Sequence, residues 1–244
     1  MHRFFIDYSA DGRQELVITG DDVAHISRVL RLNAGDEITV CDAECTDCIC
    51  TIESITKSEV VVSVQSREPN PNEPPISVFV YQGVPKGDKL DTVVQKCVEL
   101  GAVKIVPVAM KRSVAVIKDA DKKQQRMQKI ALEAAKQCGR ARVPEVGCVM
   151  SFVDAIKEAK SFCDLCLLPY EGEKVCSIKT VLAKKKTAKS ICIFIGPEGG
   201  FDLAEVEAAT ELGFEIVSMG PRILRTETAP LAALTAVMYE MGDW

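Results

Sequence analysis

SICIFIGPEGGFDLAEVEAATEL, Ser190–Leu212, decides the fold class. Its first six residues suit a short strand covered on both faces. A glycine-rich turn follows, Gly196–Gly200, and then a helical pattern that Asp202 is placed to cap. Strand, glycine turn and helix in this order commonly cradle a phosphate. Here the turn carries Glu198, the helix opens with Asp202, and no lysine or arginine lies within it. A cationic or zwitterionic small molecule, read mainly by backbone N–H groups, suits such a loop better than ATP or NAD.

The same alternation extends in both directions. ISVFVYQGV, VKIVPV, VGCVM, FCDLCLLPY and EIVSM read as strands; DKLDTVVQKCVELG, DKKQQRMQKIALEAAKQCG, SFVDAIKEAK, VCSIKTVLAKK and APLAALTAVMYEM read as helices. Repeated βα units with apolar strands predict a parallel sheet whose ligands bind at the strands' carboxyl ends. That selects three loops, LLPYEG, IGPEGGF and MGPRILRTETAP. In the last, Thr228 is placed to cap the final helix, with Pro230 in its first turn.

Upstream the pattern differs. RFFID, ELVIT, DEITVCD, CICTIESI and EVVVSVQS read as short strands around one helix, DDVAHISRVLRL, with Val23, Ile26, Val29 and Leu30 at core spacing. A small barrel is expected there. The polar, proline-dense REPNPNEPP marks a linker, giving domains 1–70 and 75–244.

Composition narrows the chemistry. Of 244 residues 47% are apolar and 27% charged, the balance of a soluble protein. No run approaches the roughly 18 apolar residues of a membrane span, and the start lacks a signal pattern; a cytoplasmic protein without membrane contact is expected. The eleven cysteines sit in apolar stretches, as buried thiols do. Cys163 and Cys166 are expected to face opposite sides of a strand, and Cys45/Cys48 lacks a second ligand pair, so no metal is expected. The only histidines, His2 and His25, lie near the N-terminus, which disfavours a Ser-His-Asp or His-metal site. GVPKGDK has the lysine of a P-loop without its spacing, and no G-x-G-x-x-G opens the first helix. Net charge is −5, yet residues 86–142 hold fourteen Lys/Arg against six Asp/Glu, while residues 1–70 hold six against thirteen. A phosphate-binding face is compatible with that division.

IGPEGGF followed by GPRILRTETA closely resembles the SPOUT methyltransferases, the knotted S-adenosylmethionine enzymes. Within them the chain resembles the bacterial 16S rRNA uracil-N3 methyltransferases, the RsmE family, through RFF, HISRVLRLNAGD, KGDKLDTVVQKCVELGA and EAAKQCGRARVPEV as well. The resemblance spans essentially the whole chain. It implies an α/β protein with a PUA-like N-terminal β-barrel and a C-terminal SPOUT domain tied in a deep trefoil knot. It also implies a homodimer through the knot domain, with S-adenosyl-L-methionine as methyl donor, S-adenosylhomocysteine as product and 16S rRNA of the small ribosomal subunit as partner. Carried over by position, the donor-binding residues are Leu168, Pro169, Ile195, Gly196, Pro197, Glu198, Gly199, Gly200, Met219, Gly220, Ile223, Leu224, Arg225 and Thr226. Arg225 is the candidate for orienting the base and its developing oxyanion, and Glu227 or Glu198 for accepting the proton. An Arg225 salt bridge to either acid is the competing structural role. For RNA phosphates the candidates are Arg3, His25, Arg28, Arg31, Lys86, Lys111, Arg112, Arg140 and Arg142. Ribose 2′-O methylation and a catalytically silent assembly factor are the alternative functions.

Overall fold

Period-two alternation builds the N-terminal sheet. β1 (Arg3–Phe5), β2 (Glu15–Thr19), β3 (Glu37–Cys41), β4 (Thr46–Ile55) and β5 (Glu59–Pro69) pair in the order β1-β3-β4-β5-β2. β1 lies parallel to β3, and the other pairs are antiparallel. The pairing path ends at β1 and β2, so the expected barrel is a curled half-barrel. Phe4, Leu16, Ile38, Val40, Ile52 and Val62 line its core. Register shifts at Ile49/Cys50 and Ile52/Ser54 supply the bulges that bend such a sheet. β5 runs further than its apolar residues suggest, pairing Pro69 with Thr46 inside the expected linker.

The expected twelve-residue helix is cut short. α1 covers Asp21–Ala24 and widens into a π-helical turn over His25–Val29, where Leu30 N bonds His25 O at 2.9 Å. Arg31 then turns left-handed at φ 57. The widened turn rotates its last residue away from the core: Val29, expected inside, is 70% exposed. Arg31 lies beyond the helix, so it does not continue the helical face of His25 and Arg28.

The computed structural model describes residues 2–114 and 119–244. They form two compact units, the first made of Met1–Glu73 with Ala135–Val143, the second of Pro74–Ala134 with Pro144–Trp244. Within the first unit, Arg140 is 2% exposed and forks onto Glu73 at 3.0 and 2.8 Å. Glu73 also accepts the N–H groups of Ala141 and Arg142. Arg3 forks onto Asp47 at 2.7 and 2.9 Å. Both arginines were expected to meet RNA; both hold the unit together instead, because a covered guanidinium needs a carboxylate beside it.

The second unit follows the expected βα order: β6 (Ser77–Gly83), α2 (Lys89–Glu99), β7 (Lys104–Ala109), α3 (Ala120–Cys138), β8 (Glu145–Val146), β9 (Met150–Ser151), α4 (Phe152–Phe162), β10 (Leu165–Pro169), α5 (Ile178–Lys184), β11 (Ser190–Ile195), α6 (Leu203–Glu211), β12 (Glu215–Val217) and α7 (Ala229–Met241). The exception is VGCVM, which divides into two short strands, β8 and β9. The last residues of α3, from Ala135, count with the first unit. The sheet is parallel throughout, ordered β12-β10-β11-β6-β7-β8, with β9 also on β7. Alternation divides β11 between two faces. Cys192 and Phe194 enter the core under α4 and α6, where Phe194 stacks on Tyr81 at 4.4 Å and meets Phe152 and Phe214 edge-on. α7 packs over β6 and β11 and against α2 and α5.

Two sequence expectations change here. Cys163 caps α4 and precedes β10, so it does not alternate with Cys166; both join one core with Cys192. Among the described residues no group of three ligand-type side chains can hold a metal ion. Leu168 shares the parity of Cys166 and is fully buried in that core, not in a ligand site.

After β12 at the sheet's edge, the chain returns to its middle. Thr226 Oγ1 donates to Gly196 O at 2.8 Å and accepts from Gln82 Nε2 at 2.9 Å. This return is what the expected trefoil knot requires of the chain. Phe194→Ala should cost about 3–5 kcal/mol of unfolding free energy, measured by urea denaturation. A loss below about 1 kcal/mol would show that the aromatic cluster repacks around the gap.

Candidate active site

Three loops leave the carboxyl ends of β10, β11 and β12 and meet around a cavity of about 550 Å³. That volume suits a small organic ligand. Pro169, Ile195, Gly196, Pro197, Glu198, Gly199, Gly200, Met219, Gly220, Ile223, Leu224, Arg225 and Thr226 all line it. The structure therefore brings together every expected donor residue except Leu168. It adds Lys89, Tyr170, Glu171, Lys174 and Arg222. Tyr170, Glu171 and Arg222 lie within the selected loops and Lys89 within KGDKLDTVVQKCVELGA, yet nothing local in those motifs assigned them to the cavity; Lys174 lies outside every motif.

The glycines shape the wall. Gly200 takes φ +65, open to glycine without strain. A Cβ on Gly83 would meet Pro197 N at 2.6 Å, so the end of β6 must be bare for the turn to lie against it. Asp202 caps α6 as expected, in a capping box with Glu205. Lys111 Nζ bonds Asp202 at 2.9 Å and holds its carboxyl below the usual range. Arg112 Nη1 donates to Gly199 O at 3.2 Å. Both RNA candidates thus flank the glycine turn while remaining exposed. Thr228 occupies the cap position of α7, yet its side chain accepts no capping hydrogen bond.

Glu198 has an unexpected partner. Its Oε1 lies 3.0 Å from Lys89 Nζ and accepts from Lys86 N at 3.1 Å. Lys89 Nζ also stands 3.2 Å from Glu227 Oε2, a covered oxygen with no hydrogen bond in line among the described residues, so that attraction is chiefly electrostatic. One ammonium therefore ties the β11 loop and the β12 loop to the start of α2. Burial pushes Glu198 upward, but its own N–H, Lys89 and Lys86 N–H outweigh it and hold the carboxyl below the ordinary range. Glu227 is lowered by its own N–H despite some desolvation, with help from Lys89 and Arg225. The two acids in turn raise Lys89.

Lys89 takes the place of the arginine in the competing salt bridge: Arg225 lines the cavity and makes no ion pair among the described residues. A Cβ on Gly196 would meet Gly200 at 3.1 Å and one on Gly200 would meet Glu171 at 2.7 Å, so bare backbone lets the turn close up beside the cavity. The cavity wall joins apolar residues such as Ile195, Met219 and Leu224 to a few charged ones. These features fit a nucleoside-like zwitterion that carries no phosphate.

Both carboxylates have depressed values, so the link through Lys89 is complete above the ordinary glutamate range, about 4.3. It is lost as pH falls through the lower folded values. Lys89→Met should move the Glu198 and Glu227 titrations upward, read by carboxyl-carbon NMR, and Lys89→Arg should largely keep them low. Unmoved titrations in Lys89→Met would mean that backbone N–H groups alone hold the acids down.

Comparison with known proteins agrees with this geometry. Residues 72–238 match an RNA methyltransferase domain and residues 18–65 an RNA methyltransferase PUA domain. The ribosomal RNA small subunit methyltransferase E of Bacillus subtilis is 39% identical, over 98% of this chain and 97% of that protein. Its counterpart in Mycobacterium tuberculosis is 30% identical, over 99% and 92%. A crystal structure of the Neisseria gonorrhoeae protein of the same name, bound to S-adenosyl methionine, superposes with a TM-score of 0.88 at 30% identity, covering 100% of this chain and 99% of the other.

Proposed function

We propose that this chain, which belongs to the RNA methyltransferase family, methylates N3 of a specific uridine in 16S rRNA of the small ribosomal subunit. It is an S-adenosyl-L-methionine-dependent rRNA methyltransferase. The observation that carries the reading is the cavity itself: three loops enclose it, and one of them contributes Arg225, free of any ion pair among the described residues. When bound, the donor supplies an electrophilic methyl carbon on a positively charged sulfur.

The protein's own residues do the rest. Pro169, Gly196, Gly199, Gly200, Met219, Gly220 and Leu224 offer wall and backbone to the donor. N3 is engaged in Watson–Crick pairing, so the uridine must enter unpaired or flipped from its helix. Loss of the imide proton places negative charge on O2 and O4, and a preorganised guanidinium stabilises it. Arg225 holds that place in the proposal, because no carboxylate among the described residues pairs with it. Glu198 Oε1 is engaged by both Lys86 and Lys89, which suits an anchor. Glu227 holds the place of proton acceptor in this reading; its Oε2 is covered and Glu227 is not among the cavity-lining residues, so the proton reaches it through water.

Residues 1–70 serve in this reading as the PUA-like RNA-binding domain and residues 75–244 as the methyltransferase domain. Exposed Arg28, Arg31, Lys86, Lys111, Arg112 and Arg142 are the phosphate contacts. His25, partly covered edge-on to Phe4, is a weaker one. The enzyme works as a cytoplasmic homodimer through its C-terminal domain.

Labelled S-adenosylmethionine and undermodified small subunits should place label in 3-methyluridine. Label in a ribose-methylated nucleoside would instead assign 2′-O transfer; donor binding without label would assign a silent binding protein. Arg225→Ala should lower kcat at least about a hundredfold with donor affinity little changed, and Arg225→Lys should recover only part. Wild-type turnover in Arg225→Ala would remove this residue from the mechanism.

A further inference from the structure

Nearly every carboxylate in the three loops is answered by the protein. Glu198 and Glu227 face Lys89, and Asp202 faces Lys111 and Arg112. Glu205 completes the capping box of α6. Glu173 accepts the N–H groups of Val175 and Cys176 at 2.6 and 2.9 Å. The exception is Glu171. It lines the cavity, and among the described residues its carboxylate has neither an ion pair nor a hydrogen bond.

Its position is nonetheless defined. Glu171 Oε1 lies 2.7 Å from where a Cβ on Gly200 would stand, so the carboxylate rests against the glycine turn. The nearest cation in sequence, Lys174, donates instead to the Glu171 carbonyl oxygen at 2.6 Å, which fixes the loop and leaves the carboxylate unanswered. An unpaired carboxylate on a cavity wall attracts a cation, and more strongly once a ligand displaces water. The cavity lining also holds the cations Lys89, Lys174, Arg222 and Arg225, so groups of both signs are available to an electrically divided ligand.

We propose that Glu171 pairs with the positive charge of the bound methyl donor and sets the cavity's preference for a cationic nucleoside. The inference rests on the donor reading above. That charge has two sources, the sulfonium and the ammonium of the amino-acid tail. S-adenosylhomocysteine keeps the ammonium and lacks the sulfonium charge, which separates them.

The test is calorimetric titration of S-adenosylmethionine and S-adenosylhomocysteine into the wild-type protein and into Glu171→Gln. S-adenosylmethionine should bind the variant about three- to tenfold more weakly, and the wild type should lose more affinity on added salt than the variant does. An equal loss for S-adenosylhomocysteine assigns the ammonium; no loss for it assigns the sulfonium and makes Glu171 a device for releasing product. Equal S-adenosylmethionine affinity in wild type and variant, with unchanged thermal midpoints, overturns the proposal. Wild-type protein that binds neither compound would overturn the donor reading itself, a different failure.

Discussion

A single hydroxyl organises the active end of the second unit. Thr226 donates to Gly196 O and accepts from Gln82, and so joins the last loop to the ends of β11 and β6. The three partners come from residues 82, 196 and 226, far apart in sequence. Buried polar groups demand partners, and here that demand closes the chain's return from the sheet's edge to its centre. Without the return, the loops after β10, β11 and β12 would not share a cavity.

Charge then sets the geometry that hydrogen bonds leave open. The glycine turn holds an acid, the last loop holds another, and Lys89 draws both toward the start of α2. One ammonium has two effects. The carboxylates stay ionised, and Arg225 is left in the cavity without an ion-pair partner among the described residues. A guanidinium without a carboxylate is useful where a substrate develops negative charge. The acidic turn that argued against phosphate is therefore a locking device as much as a selector.

Basic residues divide along the same logic. Arg3 and Arg140 are covered, and each lies in a fork with an acid of its own unit. Desolvation leaves a buried guanidinium no alternative. Arg28, Arg31, Lys86 and Arg142 remain exposed, where charge can meet a polyanion. Counting lysines and arginines does not separate the two groups; burial does.

The sequence by itself determined the elements. Strand and helix order in the second unit, the Asp202 cap and the three functional loops are set by apolar periodicity, glycine and capping chemistry, all of which act over a few residues. The motifs also identified nearly the whole cavity lining. Tertiary structure decided what depends on distant neighbours. The π-helical turn at His25–Val29 exposed Val29, and the parity of β10 turned Leu168 into the core. Lys89, Glu171 and Gln82 acquired their parts only when chain segments about 30 to 140 residues apart came together. Local patterns record which face a residue prefers; a partner from another loop leaves no periodic trace, because contact between loops has no period.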